Sequence, residues 1–384
     1  MRRFATVIVA IVMASCVPGP AATVASPSPT PITSTTRSAS PTVTTAAGTY
    51  IDDFGFVLSE PGAGRTTTIR RESGERLGSF DEQQFAVSPD GRQIAWFTPE
   101  AVQPQELRIA TAADLPVSQL VRRLNADERG ATIVWSNDAS GLLYAVHGPD
   151  IPTGVVPSSA ATYAVHIFDM RGTTSPDRTV LASSIGALVL VPIAWDRTTN
   201  VAAALETGEG GFMTSWDVIR FNGAEAVTTK TAIVPNGSML ASVEASSDAK
   251  FAVGGSFANG GSVVWWPLAD VGSRQTIAGG TNARWRPQTH ELATIGGCAG
   301  DPACGPRGGL RLINVDTGAS RIAVGLTIAN TNLRTFRADG SAVIVYAPQA
   351  PGATMSDYTL VPLTGGPSIT FREVNGLLAS VRLR

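Results

Sequence analysis

The chain is poor in the residues that carry most enzyme chemistry. Three histidines, three cysteines and two lysines stand among 384 residues. His147, His166 and His290 are far apart, and no paired-histidine zinc motif occurs. There is no Gly-x-Ser-x-Gly elbow, so the chain lacks the nucleophile signature of the serine hydrolases that carry a second β domain. Glycine-rich stretches such as Gly208-Glu209-Gly210-Gly211 and Gly254-Gly255 lie between apolar strands rather than between a strand and a helix, so they read as loops and not as phosphate cradles. Lys230 and Lys250 are the two lysines, the net charge is −2, and no basic run is present, which argues against nucleic acid as a partner. No apolar run approaches the roughly 20 residues that span a bilayer. Nothing in this inventory calls for a cofactor or a metal.

The N-terminus is the first positive signal. Met1-Arg2-Arg3-Phe4 precedes an apolar run from Ala5 to Met13 and then Ala14-Ser15-Cys16, the layout of a secretory signal. Met13-Ala14-Ser15-Cys16 resembles the bacterial lipobox, whose cysteine is lipidated and becomes the first residue of the mature chain; Met stands where Leu is commoner. The resemblance implies a signal peptide over 1–15 and a lipid on Cys16, with an ordinary signal peptide as the alternative. Residues 17–48 contain 19 Ser, Thr or Pro residues out of 32, and Arg37 is their sole charge. Such a segment has too little apolar surface to offset the entropy of ordering. It reads as a tether reaching roughly 30 Å as a coil and roughly 100 Å as extended polyproline II. The expected organisation is therefore 1–15 signal, 16–49 lipidated cysteine and tether, and 50–384 a folded body. That body would sit outside the cytoplasm, held to the cell membrane, or to an outer membrane if one exists, by lipid alone.

Cys298 and Cys304 share one loop rich in Gly and Pro. In an exported chain a pair so close is expected to form a disulfide, worth about 2 kcal/mol by chain entropy. Metal ligation is the alternative, but Asp301 is the one further local ligand.

The body is repetitive. Phe85-Ala86-Val87-Ser88-Pro89-Asp90-Gly91-Arg92-Gln93-Ile94-Ala95-Trp96 is an apolar strand, a tight polar turn and a second apolar strand. Ile133 to Val146 repeats it, and weaker copies run Ile193–Leu205, Val243–Val253, Ala283–Thr294 and Leu333–Tyr346. Asp90-Gly91 and Asp339-Gly340 supply the left-handed residues of tight hairpins. Asp248-Ala249 and Thr289-His290 are poorer versions and predict longer or bulged turns. A third strand follows each hairpin, as in Leu107–Ala110, Tyr163–Asp169 and Ser262–Trp266, and a fourth leads to the next unit. Four strands per repeat of roughly 40–60 residues is the blade of a β-propeller.

The first hairpin resembles the repeat of TolB-like and related WD-repeat-type propellers, in which a Ser-Pro-Asp-Gly turn joins the inner strands of a blade. Asp138 and Gly141, and Asp339-Gly340, match in part. The resemblance implies an all-β propeller and no particular activity, and it makes the motif aspartates turn formers. We expect seven blades, with six or eight as alternatives. Phe54–Leu58 and Thr66–Arg70 look like the outer strands of a blade, and Ser368–Arg372 with Leu377–Leu383 like its inner hairpin, so the two termini should complete one blade and close the ring.

Sequence offers little for a site. The three histidines are expected in three blades, and Trp96, Trp135, Trp195 and Trp285 in the inter-blade core. Trp265 and Trp266 should point to opposite faces and pack there. Arg284 and Arg334 precede inner strands and could approach an axial funnel, where they would suit an anionic ligand; two solvated arginines is the plainer reading. The functional expectation is a monomeric binding or interaction module of the cell envelope, its partner an envelope protein or a small ligand. A propeller enzyme (lyase, lactonase or cyclotransferase) with an axial site, or a structural part of envelope assembly, are the alternatives.

Overall fold

The computed structural model describes residues 53–59, 65–82, 84–148, 163–171, 177–183, 189–207, 213–222, 225–232, 240–256, 262–278, 280–296, 308–325, 332–348, 355–374 and 377–384. Within them 28 strands form seven four-stranded antiparallel sheets, the blades of a propeller. The chain begins in the blade it will later close, with β1 (Phe54–Ser59), β2 (Arg65–Arg71) and β3 (Arg76–Glu82). Blade 1 is β4 (Gln84–Val87), β5 (Gln93–Phe97), β6 (Glu106–Thr111) and β7 (Asp114–Arg123). Blade 2 is β8 (Arg129–Trp135), β9 (Gly141–His147), β10 (Tyr163–Asp169) and β11 (Asp177–Ser183). Blade 3 is β12 (Val189–Asp196), β13 (Val201–Thr207), β14 (Met213–Asn222) and β15 (Glu225–Ala232). Blade 4 is β16 (Leu240–Ala245), β17 (Phe251–Ser256), β18 (Ser262–Pro267) and β19 (Gln275–Ala278). Blade 5 is β20 (Gly280–Trp285), β21 (Glu291–Gly296), β22 (Gly309–Asn314) and β23 (Ser320–Gly325). Blade 6 is β24 (Asn332–Phe336), β25 (Ala342–Pro348), β26 (Met355–Pro362) and β27 (Ile369–Val374). Blade 7 is β28 (Leu377–Arg382) followed outward by β1, β2 and β3.

The termini share a blade, but the partition expected from sequence is corrected. The C-terminus supplies one strand and the N-terminus three. β28 pairs with β1 from Phe54↔Arg382 to Ser59↔Leu377. Ile369–Val374 is not half of an inner hairpin; it is the outer strand of blade 6. The missing outer strand of blade 7 is β3, whose Arg-Leu-Gly-Ser-Phe-Asp-Glu mixes exposed and half-buried residues and carries no apolar run. Closing the ring in this way pairs a strand edge that an open arc would leave exposed.

Strand alternation explains the core. Along β9, Leu142, Tyr144 and Val146 face blade 1, while Leu143 and Ala145 face blade 3. Both faces are buried, so the strand reads as continuously apolar. The same division gives one buried cluster between each adjacent pair of blades. The tryptophans pack as expected. Trp96, Trp135, Trp195 and Trp285 are all at most 5% exposed. Trp266 joins the cluster between blades 3 and 4, while Trp265 turns to the other face and meets Phe251 edge-on. Two of these rings also fasten blades by hydrogen bonds: Trp135 Nε1 donates to Ala86 O and Trp285 Nε1 to Glu244 O, each at 3.1 Å.

The hairpin turns of blades 1, 2 and 4 share one chemistry. Ser88 Oγ donates to Asp90 Oδ1 at 2.6 Å, and the Arg92 N–H and Gln93 N–H close onto Asp90 and Ser88. Ser136/Asp138 and Ser246/Asp248 repeat the arrangement at 2.7 Å. The turn at Asp248-Ala249 is therefore not longer or bulged, as its sequence suggested. Ala249 takes the left-handed conformation at φ 56°, Ala139 does so at 55°, and Gly91 occupies it at 76°. The Ser–Asp pair holds the backbone there without glycine. Blade 5 departs differently, with Gln288 rather than Thr289 or His290 at positive φ.

Candidate functional site: the axial cavity

The seven inner strands surround a cavity of about 440 Å³ on the propeller axis, in the half nearer the hairpin turns. Each blade contributes, for example Val87, Trp135, Ile193, Glu244, Arg284, Thr335 and Ser380. The lining is mixed: tryptophan edges and aliphatic side chains alternate with the hydroxyls of Ser88, Ser246, Ser247 and Ser380. At the turn end Asn137 bridges three blades. Its Nδ2 donates to Asp196 Oδ1 at 2.8 Å and to Asp248 O at 3.4 Å, and its Oδ1 accepts from the Arg197 N–H at 3.1 Å.

Among the described lining residues two are charged, Glu244 and Arg284, and they face one another. Arg284 Nη1 lies 3.3 Å from Glu244 Oε2. Arg284 is held from behind: Nε donates to Arg334 O at 2.9 Å and Nη1 to its own strand at Ala283 O. The Glu244 carboxyl also accepts weakly from the Trp285 N–H at 3.4 Å. Its side chain is 37% exposed, because a water molecule can enter the cavity beside it, yet protein surrounds it on every side. Burial dominates and raises its pKa; Arg284 and the Trp285 N–H pull it back, and the net shift is upward.

The sequence-derived arginines end in different surroundings. Arg284 lines the cavity. Arg334 contacts it through its carbonyl oxygen, while its guanidinium stacks over the Tyr346 ring, 5.6 Å from the centroid, toward blade 7. Burial and the nearby Arg284 charge lower its pKa, against the pull of Tyr358 and Tyr346. Glu244 was not singled out from sequence. The available signal was a lone carboxylate in Leu240–Ala245, an otherwise uncharged inner strand. Cys16, Cys298 and Cys304 lie outside the described residues.

The histidines do not gather on the axis, and they occupy two blades rather than three. His147 ends β9 and His166 sits in β10 of the same blade. His166 belongs to a buried network between blades 1 and 2. Tyr144 Oη donates to Asp177 Oδ1 at 2.6 Å, Arg122 makes a bidentate pair with Glu128 at 2.7 and 2.8 Å, and the His166 ring stacks on Tyr144 with centroids 5.1 Å apart. Burial, reinforced by the Arg122 charge and opposed by Asp177, pushes the His166 pKa down to about 4. His290 instead ties two blades at the turn face. Its Nε2 meets Asp248 Oδ2 of blade 4 at 2.7 Å, and its Nδ1 meets Asp316 Oδ2 at 2.6 Å. Partial burial lowers its pKa, but the two carboxylates outweigh that and raise it. Among the described residues no three His, Cys, Asp or Glu side chains are grouped to hold a metal ion.

The chain matches no family model and no curated protein. Solved structures share its architecture. A putative 6-phosphogluconolactonase from Bacteroides fragilis is 13% identical with a TM-score of 0.51, the likeness covering 86% of this chain and 98% of that one. A prolyl endopeptidase is 13% identical with a TM-score of 0.52, over 85% of this chain and 51% of its own, so the present chain spans about half of that protein. TolB from Acinetobacter baumannii is 11% identical with a TM-score of 0.42, over 86% and 82% of the two chains. Identities this low speak for the propeller fold alone.

Proposed function

We propose that this protein is an extracytoplasmic, lipid-anchored propeller that binds a small anionic ligand in its axial cavity as a binding module of the cell envelope. The observation that carries the reading is the cavity itself. Its 440 Å³ falls within the roughly 300–1,000 Å³ of small-molecule sites, and its lining supplies one guanidinium among apolar walls and hydroxyls. Arg284 gives an anion its counter-charge. The anchor rests on Met13-Ala14-Ser15-Cys16 and on the Ser/Thr/Pro-rich segment that follows it.

Trp135, Trp195 and Trp285 line the cavity, so occupancy should change their fluorescence. A panel of small carboxylates, sulfonates and neutral analogues, titrated into the mature protein in detergent, should give saturable changes with the anions that disappear in Arg284→Met. The ligand should be recovered unaltered. Conversion of the bound compound in a manner abolished by Glu244→Gln would instead favour the enzyme reading, for which the up-shifted Glu244 carboxyl is the supporting feature. For the anchor, Cys16→Ser should move the protein from the membrane to the soluble extracytoplasmic fraction or block its maturation; an unchanged membrane fraction with normal maturation would refute it.

A further inference from the structure

The paired charges in the cavity set a condition on any anion that enters. Arg284 is already engaged by Glu244, at 3.3 Å. Its described bonds use Nε and Nη1, and no described residue bonds Nη2. An incoming carboxylate that reaches this guanidinium must come beside the Glu244 carboxyl. Two ionised carboxylates sharing one cation repel, and one of them takes a proton. Glu244 is the group placed to take it. It sits on β16 inside the ring and cannot swing away into bulk water without leaving the cavity wall.

The charged groups around Glu244 are few. On β20 it faces Arg284, and beyond that Arg334 on β24. The stretches of β4, β8, β12 and β28 that line the cavity, represented by Ala86–Ser88, Ile133–Trp135, Pro192–Trp195 and Ala379–Ser380, carry no titratable side chain. Lys250 and Asp248 of its own blade pair with each other at 3.5 Å in the turn. No second cation therefore lines the described cavity to offset a further negative charge, which disfavours a dianion such as a phosphate monoester. The walls contributed by Val243, Ile193, Trp135 and Phe336 suit an apolar body.

Resting on the axial reading above, we propose that the cavity takes a small organic monocarboxylate together with one proton. The ligand carboxylate replaces Glu244 on Arg284. Glu244 takes a proton from solvent and, as a neutral acid, donates a hydrogen bond to the ligand. Charge balances: one anion and one proton enter, and no covalent bond other than the new O–H of Glu244 is made.

Benzoate, with benzamide as its neutral counterpart, is a suitable probe for titration calorimetry on the mature protein in detergent. In two buffers of different ionisation heat, binding at pH 8 should take up about one proton per benzoate. The dissociation constant should rise about tenfold per pH unit across the alkaline range, the slope of one linked proton. Glu244→Gln should bind benzoate with no proton uptake and no such slope, and benzamide should bind more weakly than benzoate to the wild type at pH 6. If benzoate binds, quenches the lining tryptophans and depends on Arg284, yet takes up no proton, the coupling is wrong while the axial anion site stands. If sulfonates bind but no carboxylate does, this inference fails while the axial reading stands; if no small anion binds, or if binding leaves the tryptophans unchanged and survives in a folded Arg284→Met, both fail. Should Arg284→Met not fold, the buffer dependence of proton uptake by the wild type decides the matter alone.

Discussion

The hairpin turns of blades 1, 2 and 4 are each closed by their own Ser–Asp pair, whereas those of blades 5 and 6 carry an arginine that reaches the next blade. In the first group a buried serine (Ser88, Ser136 or Ser246) donates to the aspartate two residues on and accepts from the backbone. In the second an arginine occupies the serine position. Arg286 Nε donates to Gly340 O of blade 6 at 2.8 Å and also pairs with Glu291 of its own blade. Arg337 makes a bidentate pair with Glu72 of blade 7 at 2.6 and 2.7 Å, with the two side chains 8% and 1% exposed, and stacks on Phe54. Blade 3 is intermediate: Asp196 caps its own turn through the Thr198 N–H and Thr199 Oγ1 and also accepts from Asn137. The Ser–Asp pair stabilises one blade. A reaching turn stabilises an interface, and the reaching turns lie in and beside blade 6, next to the blade the termini complete.

The largest effect should come from the reaching class. Glu72→Ala leaves the Arg337 guanidinium buried without its carboxylate and should cost about 3–5 kcal/mol in denaturant unfolding. Replacing both members together, as Glu72→Leu with Arg337→Met, should recover most of that loss. If the single variants cost under 1 kcal/mol, the two classes of turn do not differ in the way described. In the local class, Ser246→Ala removes one donor and the acceptor of the Lys250 and Phe251 N–H groups. The expected cost is about 1–2 kcal/mol by the same measurement. A change of sign is expected at Ala139, whose φ of 55° strains a residue with a Cβ. Ala139→Gly should gain about 0.5–1 kcal/mol, the left-handed penalty less the extra entropy of glycine. The reverse change at Gly91 should destabilise, because a Cβ there would meet Ala338 Cβ at 2.8 Å.

The last contrast is one of sign and separates two histidines by pH. His290, between the turns of blades 4 and 5, has a raised folded pKa. Its stabilising contribution is full below its unfolded value, about 6.5, and fades as pH rises through the folded one. The melting-temperature gap between wild type and His290→Gln should therefore be widest near pH 6 and close at alkaline pH. His166 has the opposite sign. Its folded pKa of about 4 means that stability falls as pH drops from about 6.5 to 4, because the unfolded chain takes the proton more readily. His166→Gln should flatten that acid slope.

The same contrast explains how far the sequence could be read. Six inner hairpins and their third strands are legible because both faces are buried and the strands are uniformly apolar, as in Leu142–Val146. Among the outer strands β7 is exposed along most of its length and β3 mixes exposed with half-buried residues, so neither carries such a pattern. For that reason Ser368–Arg372 and Leu377–Leu383, joined by Asn375-Gly376, read as one hairpin although they belong to adjacent blades. Local turns announce themselves by Ser-x-Asp. Reaching turns do not, since Arg337 and Glu72 are 265 residues apart. The axial pair is hidden in the same way: Arg284 is legible as a basic residue of a repeat, although it and Arg334 lie within the inner strands β20 and β24 rather than before them, and its carboxylate partner comes from another repeat.

The central claim is that β28 is the inner strand of blade 7, paired with β1 across a closed ring. Hydrogen–deuterium exchange of the intact protein tests this without substitution. The account predicts that amides of Leu377–Arg382 are protected to the level of the inner strands β8 and β24 and lose protection together with β1 as denaturant is added. Exchange of that segment within seconds, while β8 and β24 remain protected, would show a frayed tail and contradict the closure.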